Sequence, residues 1–210
     1  EQDQNDDADE EGQIENGVGD GDKAISWQAN GPTAANAAWE GAADDGVKIV
    51  YVDSQADCEA ACTFSTDNKA AGKSAGDEML KALEEKGITS GDIGVISVNA
   101  ATDSTVQREA GFRSAFEGTD FNILETQYGD GDAVKSKDMA SAFITQGVVG
   151  IFGANEGSTV GTGNAIKEDG NEVVGVGFDK SDMVVELVKG GSLLCTMAQN
   201  PDVMGYEGMK

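Results

Sequence analysis

The chain has 210 residues, with 14 Lys and Arg against 39 Asp and Glu and a formal net charge of −25. A surface of that sign repels phosphate backbones and anionic lipid, which excludes nucleic acid and membrane surfaces as expected partners. The absence of histidine removes His-based triads, His general bases and His-ligated zinc or haem.

Residues 1–22, "EQDQNDDADEEGQIENGVGDGD", hold ten acidic residues, no basic ones and almost nothing apolar. They read as a disordered tail or linker, because such a segment cannot bury enough surface to offset its ordering entropy. Calcium binding is the sharper alternative, but EF-hand spacing is absent. From Lys23 onward, short apolar runs alternate with helix-like segments. "AISWQ" (24–28) is a predicted strand and "TAANAAWEGAADDG" (33–46) an Ala-rich helix with Thr33 as N-cap. "VKIVYVD" (47–53) is the next strand. Helix 68–87 follows, with Ala71, Ala75, Met79, Ala82 and Leu83 on one face and Gly87 closing it. Strand 93–99, helix 106–118, strand 121–127, helix 133–146, strand 147–155 and helix 158–170 continue the alternation. Strand 173–179, helix 181–191 and strand 193–199 complete it.

Regular β-α alternation with continuous apolar strands predicts an α/β fold, a parallel sheet covered by helices on both faces. Ligands of such sheets bind beyond the carboxyl ends of the strands. Those ends fall on Asp53, Asn99, Gln127, Asn155, Asp179 and Gln199. Any one of them is explained as the cap of the following helix. Together they outline a rim of amides and carboxylates suited to a polyhydroxyl ligand. Arg108, in the first turn after Asn99, adds a donor or pairs with a neighbouring acid.

Competing motifs are weaker. "AAGKSAG" has the Gly-Lys-Ser of a phosphate loop but carries Asp67 where the first Gly belongs, and it lies inside a helix. "GDGDAV" places Asp130 and Asp132 in the DxDx[T/V] pattern of haloacid-dehalogenase-like phosphatases, with Asp179 and Asp182 as a later Mg²⁺-holding pair. The fifty or so residues between those motifs are tight for that architecture. Cys58 and Cys62 form a CxxxC that matches neither zinc nor thioredoxin spacing. Small buried thiols are expected, with a 58–62 disulfide as the alternative.

Seven segments, taken in order, carry a resemblance: "IVYVDS", "STDNKAAGKSAG", "QREAGFRSAF", "TQYGDGD", "GIFGANEGS", "VVGVGFDKSD" and "TMAQNPDVMGYEGMK". From Ala24 to Lys210 the chain resembles the type I periplasmic binding proteins, and within them the ribose-binding-like sugar receptors of ABC importers. The resemblance implies two Rossmann-like lobes joined by a hinge and closing on a sugar. It implies that Asp53 is the N-lobe aspartate accepting from sugar hydroxyls, Asn155 an amide ligand of the C-lobe, Asp179 the C-lobe aspartate and Gln199 the glutamine near the hinge. Arg108 matches an arginine just past the usual ligand arginine, whose place Val106 holds. Ribose receptors carry a stacking aromatic at Gly131 and an arginine at Ser54, and these departures argue against unmodified ribose binding. Trp27, Trp39 and Tyr128 are the other candidates for stacking on a sugar, with core packing the competing expectation.

The family begins with two further βα units. The resemblance therefore implies a partial N-terminal lobe over 23–66, a C-terminal lobe over 67–199 and a return segment over 200–210. A fragment, or a segment absent near residues 16–23, is the corresponding expectation. The expected protein is non-enzymatic, needs no cofactor or metal, and is a monomer. It binds a monosaccharide or similar polyol and delivers it to the membrane components of an ABC importer. It is expected outside the cytoplasmic membrane, periplasmic or lipid-anchored on the membrane's outer face, with the acidic tail as spacer after a removed signal or a lipid-anchored cysteine. The alternatives are the Mg²⁺-dependent phosphatase at Asp130 and Asp132 and the ligand-sensing domain of a regulator, although helix-turn-helix and basic-patch signals are lacking.

Overall fold

The structure of the protein, a computed structural model, describes residues 7–33, 35–170 and 172–210. The chain forms two compact units. One holds the chain up to Thr66 together with Ala101–Ser104 and Asn200–Lys210, and the other holds Asp67–Ala100 with Thr105–Gln199.

The first unit carries a helix where a disordered tail is expected. α1 (Asp7–Asp20) covers most of residues 1–22, and residues 1–6 of that expectation lie outside the described residues. The reason is spacing rather than composition. Ile14 and Val18 are four apart and share one helix face, Ile14 is fully buried in the unit's core, and Val18 packs against it. Glu10, one turn earlier, accepts a hydrogen bond from Trp27 Nε1.

The sheet of this unit is parallel in the order β1-β2-β3, from β1 (Ala24–Trp27), β2 (Lys48–Val52) and β3 (Cys62–Phe64). β3 is absent from the expected strands because its three residues are exposed or half-buried and carry no apolar run. α2 (Asn36–Asp44) buries Trp39 and Ala42 in the cluster that holds Ile49 and Tyr51. Its N-cap is Ala35, not Thr33, because Thr33 starts a turn in which its carbonyl accepts the Asn36 N–H. The rings of Trp27 and Tyr51 meet Trp39 edge-on, with centroids 6.0 and 5.9 Å away, so both tryptophans are packing residues. α8 (Pro201–Gly208) buries Met204 and sets Gly208 against Val50 and Val52.

In the second unit β4 (Ser90–Ser97), β5 (Asp120–Ile123), β7 (Gly150–Gly153), β8 (Val174–Phe178) and β9 (Cys195–Met197) form a parallel sheet in the order β5-β4-β7-β8-β9. β6 (Gln127–Tyr128) also pairs with β4. The helices are α3 (Asn68–Glu85), α4 (Asp103–Ala115), α5 (Ala133–Gln146), α6 (Glu156–Asp169) and α7 (Asp182–Lys189). Successive strand residues face opposite sides, and here both sides are covered. Val95 and Phe152 pack with Met79, Leu83 and Phe112, whereas Ile96 and Ile151 pack with Phe143 and Ala165. This double burial produces the continuous apolar runs. The run 121–127, expected as one strand, breaks into β5 and β6. Arg113 of α4 donates to the carbonyls of Ile123 and Leu124 and to Thr126 Oγ1, so the ladder is interrupted between them.

The glycines of "GKSAG" serve helix packing. A Cβ on Gly72 would lie 2.0 Å from the carbonyl oxygen of Arg108, and one on Gly111 would lie 2.0 Å from that of Lys69. α3 and α4 therefore cross backbone to backbone. Among the described residues, no helix is long and apolar enough to cross a membrane.

Candidate functional site

Asp179 directly follows β8 and adopts the left-handed conformation, φ 70°. For a residue with a Cβ this costs about 1–2 kcal/mol, and the surrounding bonds hold it there. Gly177 lets α6 approach, since a Cβ at that position would lie 2.2 Å from Thr159 Cγ2. Thr159 Oγ1 then accepts the Phe178 N–H at 2.8 Å. On the other side, Asp179 N–H donates to Met197 O at 2.8 Å and its carbonyl accepts from Thr196 Oγ1 at 2.7 Å. The carboxylate is held at both oxygens. Oδ2 accepts the Glu156 N–H at 3.0 Å, Oδ1 accepts from Gln199 Nε2, and Arg108 Nη1 lies 3.9 Å from Oδ2. Each carboxylate oxygen has two lone-pair sites, so this group retains acceptor capacity toward a hydroxyl.

Asn155 caps α6 in a capping box. Its Oδ1 accepts the Ser158 N–H at 3.2 Å, and Ser158 Oγ accepts the Asn155 N–H at 3.1 Å. The cap explanation thus holds for its oxygen. Arg108 is buried, with 2% of its side chain exposed. Its Nε donates to Asn68 Oδ1 at 2.8 Å, Nη1 donates to Ala154 O at 3.0 Å, and the guanidinium lies 3.9 Å from the centroid of the Phe178 ring.

Asp53, in the first unit, repeats the local geometry of Asp179. It follows β2 at φ 66°. Its N–H donates to Phe64 O at 2.9 Å, the last residue of the adjacent strand, just as Asp179 donates to Met197. Its Oδ2 accepts from Gln28 Nε2 at 3.1 Å, the counterpart of Gln199. Ser54 is fully buried and donates to Ser104 Oγ at 2.8 Å.

Of the five predicted ligand residues, Arg108, Asn155, Asp179 and Gln199 come together at the ends of β7, β8 and β9, and Asp53 stands in the first unit with Gln28. Gln127 does not end a strand. It lies exposed in β6 and donates to Glu125 O at 3.5 Å. Tyr128 is exposed. Sequence reasoning missed Gln28, Asn68, Thr159 and Phe178. Gln28 directly follows β1 and was legible as a seventh polar strand end, whereas the others carry no signal outside the fold.

The phosphatase pair is otherwise engaged. Asp132 caps α5, accepting from Val134 and Lys135 N–H at 2.7 and 2.8 Å, and these bonds hold its carboxyl below the ordinary range. Asp130 pairs with Lys135 at 3.0 Å. Among the described residues no group of three or more His, Cys, Asp or Glu is placed to hold a metal ion. The three cysteines are free thiols, and Cys62 is exposed rather than buried because it sits on the short strand β3. Burial, reinforced by Glu78, pushes the Cys195 thiol up to about 11.

The family model for the periplasmic binding protein domain matches residues 1–210. The chain is similar to the ribose import binding protein RbsB of Haemophilus influenzae, 31% identical over 148 residues, which cover 70% of this chain and 49% of that protein. It is 29% identical over 175 residues to RbsB of Escherichia coli, covering 78% and 55%. The chain thus spans about half the length of these curated relatives. Among solved structures, it is similar to an ABC transporter solute-binding protein from Agrobacterium vitis with bound D-fucose, with a TM-score of 0.89 and 30% identity over 96% of this chain and 71% of that one. It is also similar to a carbohydrate transporter solute-binding protein from Agrobacterium radiobacter in complex with D-arabinose, with a TM-score of 0.91 and 28% identity over 97% and 72%.

Proposed function

The chain belongs to the type I periplasmic binding proteins of the ribose-binding kind, and on that premise we propose that the protein is a receptor for a monosaccharide or similar polyol. It binds the sugar without chemical change, delivers it to the membrane components of an ABC importer, and works outside the cytoplasmic membrane. Asp179, Asn155 and Gln199 of the second unit and Asp53 of the first are the side chains assigned to hydroxyl recognition. A sugar hydroxyl both donates and accepts, so a carboxylate flanked by amides is a matching lining. The observation that carries the reading is the Asp179 carboxylate. It stands at the end of a buried strand on a left-handed backbone, with a helix N–H and a glutamine amide fixing its direction.

This reading is preferred to the phosphatase because the Asp132 carboxylate serves as a helix cap and Asp130 is paired with Lys135. It is preferred to the regulator because the matched curated relatives are import binding proteins. The test is thermal unfolding with D-ribose, D-allose, D-arabinose and D-fucose, with and without Mg²⁺. A bound sugar at a hundred times its Kd adds about 2.7 kcal/mol of stability. The expected result is a sugar-specific rise in Tm that Mg²⁺ does not alter. Phosphate-ester hydrolysis abolished by Asp130→Asn is the result that overturns the reading.

A further inference from the structure

The sequence leaves Arg108 as either a donor to the ligand or a partner of a neighbouring acid, and its surroundings give it a structural task. We propose that Arg108 is a positioning residue that clamps the end of β8 to the end of β7 and thereby fixes Asp179. The ladder between these strands runs from Gly150 opposite Val174 to Phe152 opposite Val176. It stops two residues short of Ala154 and Phe178, the residues that precede Asn155 and Asp179. Arg108 spans that gap. Nη1 donates to the carbonyl of Ala154, the guanidinium plane lies over the ring of Phe178, and Nη1 sits 3.9 Å from Asp179 Oδ2. Nε is fixed by Asn68, itself buried at the start of α3. The close crossing of α3 and α4 at Gly72 and Gly111 sets that bond. A planar fork with several donors performs this role, and an ammonium does not reproduce it. For its consequence in binding, the inference rests on the sugar-receptor reading. Its geometry does not.

The experiment uses Arg108→Gln and Arg108→Lys and reads the Glu156 amide, which donates to Asp179 Oδ2. Hydrogen exchange at Glu156 is expected to accelerate about tenfold or more in Arg108→Gln while the mid-strand amide of Val176 keeps its protection. Arg108→Lys is expected to fall between wild type and Arg108→Gln, and it carries the measurement if the glutamine variant does not fold. Unchanged exchange at Glu156, or equal loosening at Glu156 and Val176, overturns the proposal. With whichever of the four sugars shifts the wild-type protein most, Arg108→Gln is expected to weaken binding about tenfold and to add less than about twofold in an Asp179→Asn background. Additive losses overturn positioning and put the guanidinium on the sugar. If none of the four sugars shifts the wild-type protein, the receptor reading loses its support, and the Glu156 amide still decides the role of Arg108.

Discussion

The backbone N–H of Glu156 donates to Oδ2 of Asp179 at 3.0 Å, so the first turn of α6 and the end of β8 share one carboxylate. A helix N-terminus favours an anion, and the Gln199 amide on Oδ1 leaves the group little rotational freedom. Charge-assisted hydrogen bonds contribute about 1.5–3 kcal/mol each. Asp179→Ala is therefore expected to weaken sugar binding by about 100-fold or more, and Asp179→Asn by about tenfold, in calorimetric titration. Wild-type affinity in Asp179→Ala would remove this residue from the site.

On the proposed assignment, Asn155 divides a structural and a recognition role within one side chain. Its Oδ1 caps α6, and its Nδ2 is the group assigned to the ligand. Asn155→Ala is expected to cost about 0.5–2 kcal/mol in denaturant unfolding, as loss of a cap does. Asn155→Asp keeps an equivalent cap and is expected to stay within about 0.5 kcal/mol of wild type while losing about tenfold in sugar affinity. Equal affinity in Asn155→Asp and wild type would make Asn155 a cap and nothing more.

The second unit was the more legible part of the sequence, because its strands are buried on both faces and announce themselves as unbroken apolar runs. Helix 133–146 is found with its expected limits, since Asp132 caps one end and Gly147 closes the other. Asp179 and Asn155 were visible for the same reason, as polar residues terminating such runs. The hidden features depend on tertiary packing. The left-handed backbone of Asp53 and Asp179 follows from bonds to neighbouring strands. The placement of Arg108 follows from a helix crossing that two glycines permit. Composition misread the segment of α1 because two apolar residues suffice when an aromatic core receives them.

That segment gives a direct check. Ile14 is fully buried beside Trp39 and Tyr51, so Ile14→Ala is expected to cost about 2–5 kcal/mol. The same change in a solvated tail would stay within about 0.5 kcal/mol. Urea unfolding followed by tryptophan fluorescence reads the cluster itself, because both tryptophans of the chain lie in it.

Gly177 tests the approach of α6 to β8. A Cβ there meets Thr159 Cγ2 at 2.2 Å, an overlap that a core relieves only by shifting backbone, at about 1–3 kcal/mol. Gly177→Ala is expected to lower stability by that amount. Thr159→Ser removes the offending methyl and keeps the hydroxyl that binds the Phe178 N–H, so the double variant is expected to recover part of the loss. A double variant worse than the sum of the singles would place the strain elsewhere.

The net charge of −25 makes stability a function of salt. Repulsion among like charges destabilises a compact state, and the Debye length falls from about 30 Å at 0.01 M to about 3 Å at 1 M. The ion pairs that salt would weaken are mostly exposed, such as Lys73–Asp77 and Lys135–Asp130, and pairs of this kind contribute about 0–1 kcal/mol each. Relief of repulsion therefore outweighs loss of pairing. Raising NaCl from 0.01 to 1 M is expected to lift Tm by at least about 5 °C, equivalent to roughly 2 kcal/mol for a chain of this size. The rise is expected to be the same in KCl and to flatten as screening completes. A rise that continues without flattening and is much larger in sodium sulfate would trace to strengthened apolar burial instead. A fall in Tm with salt would mean that the ion pairs hold the fold against its own charge.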